Sequence, residues 1–443
     1  MSTNLLNPAD RRTYPARWPR MRGKQLFQEI DERSQTGDEE LLSVSHITGI
    51  TPRSQKNVTM FEAESLVGYK KCKVGDIAAN TMWTWQGAIG VSRYDGVVSP
   101  AYNVYRQKAG FYHPRYLDLL LRESKLVDVY HSLSTGVRAS RLRLYPDVFL
   151  TIDFPVPPRD EQEQIVRFLD WKIEAINQLI HIYQAEIEKV EVMRQKKINE
   201  TVTHGLLPSH QKRSATIWWD MECPSHWELQ RARREFIFRK GLNITKNDLR
   251  QSGIPVISYG QVHAKENQGM GLTENLIRYV SSVYLETNKS SLVEKGDFVF
   301  ADTSEDFAGC GNCAYIDCDG KIFAGYHTII AHPVHANKNR YFAYLFQSST
   351  WRYQIRKRVN GVKVYSITQD ILKDAFVLVP PLNEQAQIVE YLDEVCGKIE
   401  RFKHHTREKI EKLKSLKKSM ISDVVTGKLD VRNIKIPAHA KEV

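Results

Sequence analysis

A chain of 443 residues is too long for one ordinary domain and predicts two to four compact units. Its 42% hydrophobic and 26% charged residues exclude a mostly disordered or fibrous chain, and Lys+Arg 63 against Asp+Glu 52, a net +11, suits a polyanionic partner such as nucleic acid. The opening MSTNLLNPADRR mixes acid and base before any apolar run, and no stretch of about 18 apolar residues follows, so no signal peptide or membrane span is predicted and a cytoplasmic location is expected.

Residues 1–155 read as a first module. A proline-tryptophan lead-in (YPARW, from Tyr14) precedes a polar-aliphatic strand (LLSVSHITGI, from Leu41) and the segment VGDIAANTMWTWQGAIG, from Val74. A helix over residues 114–129 and a turn at Gly136, Val137 and Arg138 come next. Short β-branched runs punctuated by glycine, asparagine and aspartate read as strands and turns, giving a compact α+β domain.

Residues 156–205 predict one long helix. A Pro157-Pro158 stop is followed by Asp160 as a candidate cap, then by acid and glutamine in the first turn. Leu169, Ile173, Ile176, Ile180, Tyr183, Ile187 and Val190 alternate spacings of four and three, the a/d seam of a coiled coil. Glycine and proline are absent between Arg159 and His204, so at 1.5 Å per residue the helix extends for roughly 65 Å. Gly205 suits its C-terminal cap.

Residues 206–378 form a second module that echoes the first. CPSHW, from Cys223, answers the lead-in, IPVISYGQVH, from Ile254, the strand, and KGDFVFADTSEDFAGCGN, from Lys295, the later segment. A helix over residues 340–359 and a turn at Gly361, Val362 and Lys363 complete the echo. Residues 379–430 then repeat the long helix: VPPRDEQEQIVRFLDWKIEAI, from Val156, returns as VPPLNEQAQIVEYLDEVCGKI, from Val379, with Asn383 in the capping place. Its seam is Leu392, Cys396, Ile399, Thr406, Ile410 and Leu413, interrupted by Lys403. Each seam needs a partner, and the other copy supplies it, packed antiparallel. A tail, residues 431–443, carries no functional reading.

The predicted fold is thus α+β, with two modules separated by two long antiparallel coiled-coil helices in a pseudo-twofold internal repeat. The layout resembles the specificity subunit of type I restriction-modification systems over nearly the whole chain. The repeated PP-x-x-EQ-x-x-Ile motif carries the resemblance most specifically, supported by Pro224 to Trp227; Arg17 stands where the second copy has His226. The resemblance implies that each module is a target-recognition domain reading half of a split site on double-stranded DNA. It also implies that the helices are spacers, that two methyltransferase subunits dock on the helical regions, and that restriction subunits join the complex. S-adenosylmethionine, ATP and Mg are then expected on the partners, with no cofactor in this chain.

The residues themselves offer no enzyme. Asn7-Pro8-Ala9-Asp10 is too short a match to a methyltransferase motif, and none of the Gly-Lys pairs is followed by serine or threonine as a P-loop requires. Cys310, Cys313 and Cys318 lack the two paired motifs of a structural zinc site and have no thiol counterparts at residues 87–91, although His327 and His332 keep a metal reading open. No catalytic or metal residue is assigned.

Sequence discrimination needs polar side chains at base edges, while cations on phosphates supply affinity and register. In the first module the candidates are Arg53, Lys56, Trp83, Trp85, Gln86, Arg93 and Tyr94, with Arg138, Arg141 and Arg143 near the Gly-Val turn. In the second they are Tyr259, Gln261, His263, Lys265, Ser304 and Glu305, with Arg356, Arg358, Lys363 and Tyr365 near the matching turn. Trp83 and Trp85, two apart, are expected on opposite faces of a strand if they are merely structural. The reading from another class is a non-catalytic coiled-coil scaffold whose modules bind proteins.

Overall fold

The structure, a computed structural model, describes residues 14–55, 65–136, 142–206, 212–216, 220–335 and 339–437. It divides into two compact units, Met1–Tyr183 with Arg407–Val443, and Gln184–Thr406. Each unit therefore holds one α+β module and two stretches of long helix.

In the first unit a four-stranded antiparallel sheet runs in the order Phe27–Ile30, Asn103–Gln107, Ile77–Ala79, Ile89–Val91. In the second, Phe236–Lys240, Thr328–Pro333, Phe298–Ala301 and Cys313–Tyr315 follow the same order and sense. Register makes the equivalence residue by residue: Phe27 pairs with Gln107 as Phe236 pairs with Pro333, and Ile77 pairs with Tyr105 as Phe298 pairs with Ala331. The second module also has a sheet of Arg278–Val280, Ile254–Ile257, Ile322–Ala324 and Leu292–Val293, which includes one parallel pairing; in the first module Lys70–Cys72 pairs with Gly96–Val98 and Leu41 makes a parallel bridge to Val97.

The long helices are Arg159–His204 and Leu382–Val425, the second tolerating Gly397. Asp160 and Asn383, expected as caps, lie one residue inside their helices; the cap place falls to Pro158 and Pro381, whose carbonyls accept the Gln162 and Gln385 N–H groups at 3.0 and 2.9 Å. Within the first unit the two helices run antiparallel: Gln164 donates to the Val431 and Ile434 carbonyls, and farther along Lys417 donates to Asn177. The second unit repeats this sense, with Lys403 on Glu191 and Cys396 beside Arg194. The predicted seam positions are all buried or half-buried.

The PP-x-x-EQ repeat has a structural cause. Trp18 Nε1 donates to Glu161 at 3.0 Å, and Trp227 Nε1 donates to Glu384 at 2.9 Å. Arg17 and His226, which differ between the two lead-ins, sit on the same two carboxylates at 2.6 and 2.7 Å. Gln162 and Gln385 donate to the Pro157 and Pro380 carbonyls, closing each helix start. The helix ends match too: Tyr116 donates to the Val425 carbonyl and Tyr341 to that of Val202. Gly427, at φ +70, leaves no room for a Cβ against Pro15 and Trp18, and Gly205, at φ +78, lies on Trp227. Each core joins its module to both helix stretches of its own unit, through Ile165, Leu169, Val424 and Val425 in one and Ile198, Val202, Ile388 and Leu392 in the other.

The single helices expected over 114–129 and 340–359 are each two. Glu123, its carboxylate accepting the Lys125 N–H, starts a second helix Ser124–Leu133 after Pro114–Leu121. Ser348 caps Ser349–Arg356 after Asn339–Gln347 in the same way. Both caps compete locally for backbone donors and restart the helix in a new direction. Among the described residues no helix is long and apolar enough to cross a membrane.

Candidate nucleic-acid interface

In the first module the loop leaving strand Ile77–Ala79 carries the tryptophans. Trp83 and Thr84 both donate their N–H to the Asn80 carbonyl, which winds Thr84–Gln86 into a 3₁₀ turn closed by Gly87 at φ +87. The rings of Trp83 and Trp85 consequently stack, with centroids 6.3 Å apart and planes at 11°, rather than facing opposite sides of a strand. Trp85 is tied down by its Nε1 on the Met82 carbonyl and by the His131 ring, while Trp83 remains 44% exposed. Gln86 is exposed beside them.

Other candidates approach this loop. Arg143 pairs with Thr135 in a β-bridge, and the next residue, Leu144, donates to the Thr81 carbonyl. Arg53, on the turn Arg53–Gln55, acts on the Tyr102 hydroxyl; burial pushes that phenol up, and Arg53 and the Asn80 amide oppose the rise. Arg93 is exposed and lines a cleft of about 580 Å³ with His113, Arg115, Asp118 and Asp170; Tyr94 is half-buried on the Leu42 and Ile50 core. Lys56, Arg138 and Arg141 lie outside the described residues.

The second module gathers its candidates from three segments. Strand Thr303–Ser304 pairs with Tyr365–Ser366, placing Ser304 opposite Tyr365. His263 reaches the same loop: its Nε2 is 2.8 Å from the Thr303 carbonyl and its Nδ1 3.2 Å from the Asn312 amide. Both ring nitrogens are thus engaged within the chain. Gln261 accepts the Ser258 N–H in a capping box, and the buried Ser304 hydroxyl donates to the Asp306 carbonyl, so these two serve the local backbone. Arg356 donates to the Ala308 carbonyl, and Arg358 lies 3.9 Å from Asp374. Tyr259 is half-buried against Tyr326 and His327, whereas Lys265, Glu305 and Lys363 are exposed.

Two residues of this region were not singled out. Arg352 bonds Asn312 at 2.6 Å and holds the 305–312 loop, although nothing in a single helical arginine signals that task. Phe307, exposed, meets the Tyr365 ring edge-on at 5.5 Å. Cys310 and Cys313 are buried; burial pushes the Cys310 thiol up and that of Cys313 to about 12. Among the described residues no group of three or more His, Cys, Asp or Glu stands where it can hold a metal ion. The loops supply aromatic faces and polar edges, and neighbouring segments bring the cations Arg143 and Arg356 beside them, the groups that bind bases and phosphates.

Residues 226–412, the second module with much of the second long helix, match the family model described as the type I restriction modification DNA specificity domain. The second module is thus similar to the type I restriction modification DNA specificity domain. Over about two thirds of its length the chain is similar to type I restriction enzyme specificity subunits. It is 23% identical over 291 residues to the MjaVIII specificity subunit of Methanocaldococcus jannaschii, covering 65% of this chain and 64% of that one. Against the EcoKI specificity subunit of Escherichia coli it is 24% identical over 315 residues, covering 67% and 62%. The chain thus spans just under two thirds of the length of these relatives.

Solved structures share the fold. One, from a study of complex assembly and conformational transition in the type I R-M system, has a TM-score of 0.67 at 17% identity over 94% of this chain and 99% of that one. The HsdS subunit from Thermoanaerobacter tengcongensis has a TM-score of 0.51 at 16% identity over 94% and 98%. By their common strand order the two modules stand on one framework with different loops.

Proposed function

We propose that this chain is the DNA-reading subunit of a type I restriction-modification complex, each module reading one half of a bipartite target. The observation that carries the reading is the pair of modules with one strand order whose equivalent loops bear unrelated side chains, Trp83 and Trp85 in one and Ser304 and Asp306 in the other. A framework kept while its loop is exchanged is how a reading surface is varied. Two methyltransferase subunits dock on the long helices, and restriction subunits complete the assembly. S-adenosylmethionine, ATP and Mg belong to those partners, and the chain itself performs no bond chemistry.

The test is to express the chain with a type I methyltransferase subunit and map methylated bases in host DNA by single-molecule sequencing. A two-part motif is expected, and replacing residues 1–154 by another module should change one half of it alone. Absence of methylation together with absence of salt-sensitive DNA binding would instead identify a protein-assembly scaffold.

A further inference from the structure

His327 combines three properties that no other described residue shares. It is the one non-glycine residue among those described with a positive φ, at 54°. Its side chain is 60% exposed, and it stands beside the candidate readers of the second module, edge-on to the Tyr259 ring at 5.6 Å. A left-handed backbone costs a side-chain-bearing residue free energy and persists where the surroundings hold it, most often at functional sites.

The surroundings that hold it are explicit. The His327 carbonyl accepts the Asp302 N–H at 3.1 Å, and the ring Nδ1 lies 3.2 Å from Asp302 Oδ1, which also accepts the Thr303 hydroxyl. Strand register sets Thr81 and Ala101 of the first module at the equivalent places, and there too the pair is bonded, Thr81 Oγ1 donating to the Ala101 carbonyl. A bond to the carbonyl is kept at this crossing, given by a side-chain hydroxyl in the first module and by a backbone N–H in the second, while the residues are exchanged from Thr and Ala to Asp and His. Ala101 has no positive φ. The strain therefore belongs to the second module's own surface and not to the shared framework.

We infer that His327 is a specificity-determining residue of the second module, reading the exocyclic amine of an adenine or cytosine through Nε2, with Asp302 as its positioning residue. An ionised carboxylate only accepts, so Asp302 puts the ring proton on Nδ1 and leaves Nε2 with its lone pair. Nε2 has no hydrogen-bond partner among the described residues. The donors a major groove offers to such an acceptor are adenine N6 and cytosine N4. The inference rests on the proposal that the modules read DNA.

The experiment selects binding sites for the full chain from a randomised duplex pool, then repeats the selection with His327→Gly and His327→Asn. Glycine relieves the positive φ, so the variant is expected to fold, and asparagine tolerates the same backbone. The wild type is expected to select adenine or cytosine at one position of one half-site. His327→Gly should lose that preference, about tenfold or more, while every other position keeps its own. Replacing the selected base by purine or 2-pyrimidinone, which lack the amine, should weaken the wild type by a similar factor and leave His327→Gly unaffected; which analogue acts tells adenine from cytosine. Asp302→Asn should relax the same position and no other. A glycine variant that selects the unchanged motif overturns the assignment to His327 while leaving the DNA-reading proposal standing. A wild type that selects nothing overturns both.

Discussion

Gln86 and Gln261 stand on different loops of the two modules, and the sequence marks both as base readers, yet their surroundings differ. Gln261 is bonded to the Ser258 backbone in a capping box, whereas Gln86 is exposed on the turn that carries the stacked tryptophans. Gln261→Ala should therefore lower stability by roughly 1 kcal/mol, the usual worth of a cap, and Gln86→Ala should change it by no more than about 0.5 kcal/mol. Denaturant midpoints of the two variants check the difference, and site selection with the same proteins shows which of them shifts base preference. Equal stability losses would place both side chains in the same structural role. Similar reasoning separates Trp83, with its ring half in solvent, from Trp85, which is fixed by Met82 and His131.

The long helices were legible because their signals are local and redundant. Freedom from glycine and proline gave the extent of Arg159–His204, and the four-three spacing gave the seam. The Glu of the repeated motif was legible only as a first-turn acid, because its indole partner stands about 143 residues back in the chain and no short pattern links them. The restarts at Glu123 and Ser348 were missed since each cap lies inside an otherwise continuous apolar period. Lys403, read as an interruption of the seam, is buried and donates to Glu191 at 2.6 Å and to Glu400 at 2.8 Å. Burial pushes the Glu191 carboxyl up, but Lys403 and Arg194 outweigh it and hold it below its ordinary 4.5. Its stabilising contribution is then present above pH 4.5 and lost as pH falls through the lowered value. Lys403→Ala should cost about 1–2 kcal/mol at pH 7. Melting curves of wild type and variant should converge as pH is taken from 6 to 3, and a gap independent of pH would mean that only the lysine stem matters.

For the molecule as a whole, the decisive fact is that one unit is assembled from both ends of the chain, Met1–Tyr183 with Arg407–Val443. Val424, Val425 and Val431 are fully buried in the same core as Trp18, Phe27 and Tyr105, and Ser422 donates to the buried Glu123 at 2.7 Å. Removing residues 407–443 should therefore unfold the N-terminal module, far from the cut in sequence, and limited proteolysis should cleave within residues 14–183 while residues 220–335 stay protected. Protection of both modules would show that the first core closes without its C-terminal strip. The same arrangement sets an order of completion during synthesis. The unit Gln184–Thr406 has all its residues as soon as Thr406 has been made, whereas the module translated first must wait for the last helix to emerge. At about 5–20 residues per second that wait is roughly 10–45 s, during which the N-terminal core lacks one wall and is open to chaperones. The first module to be made is the last to be finished.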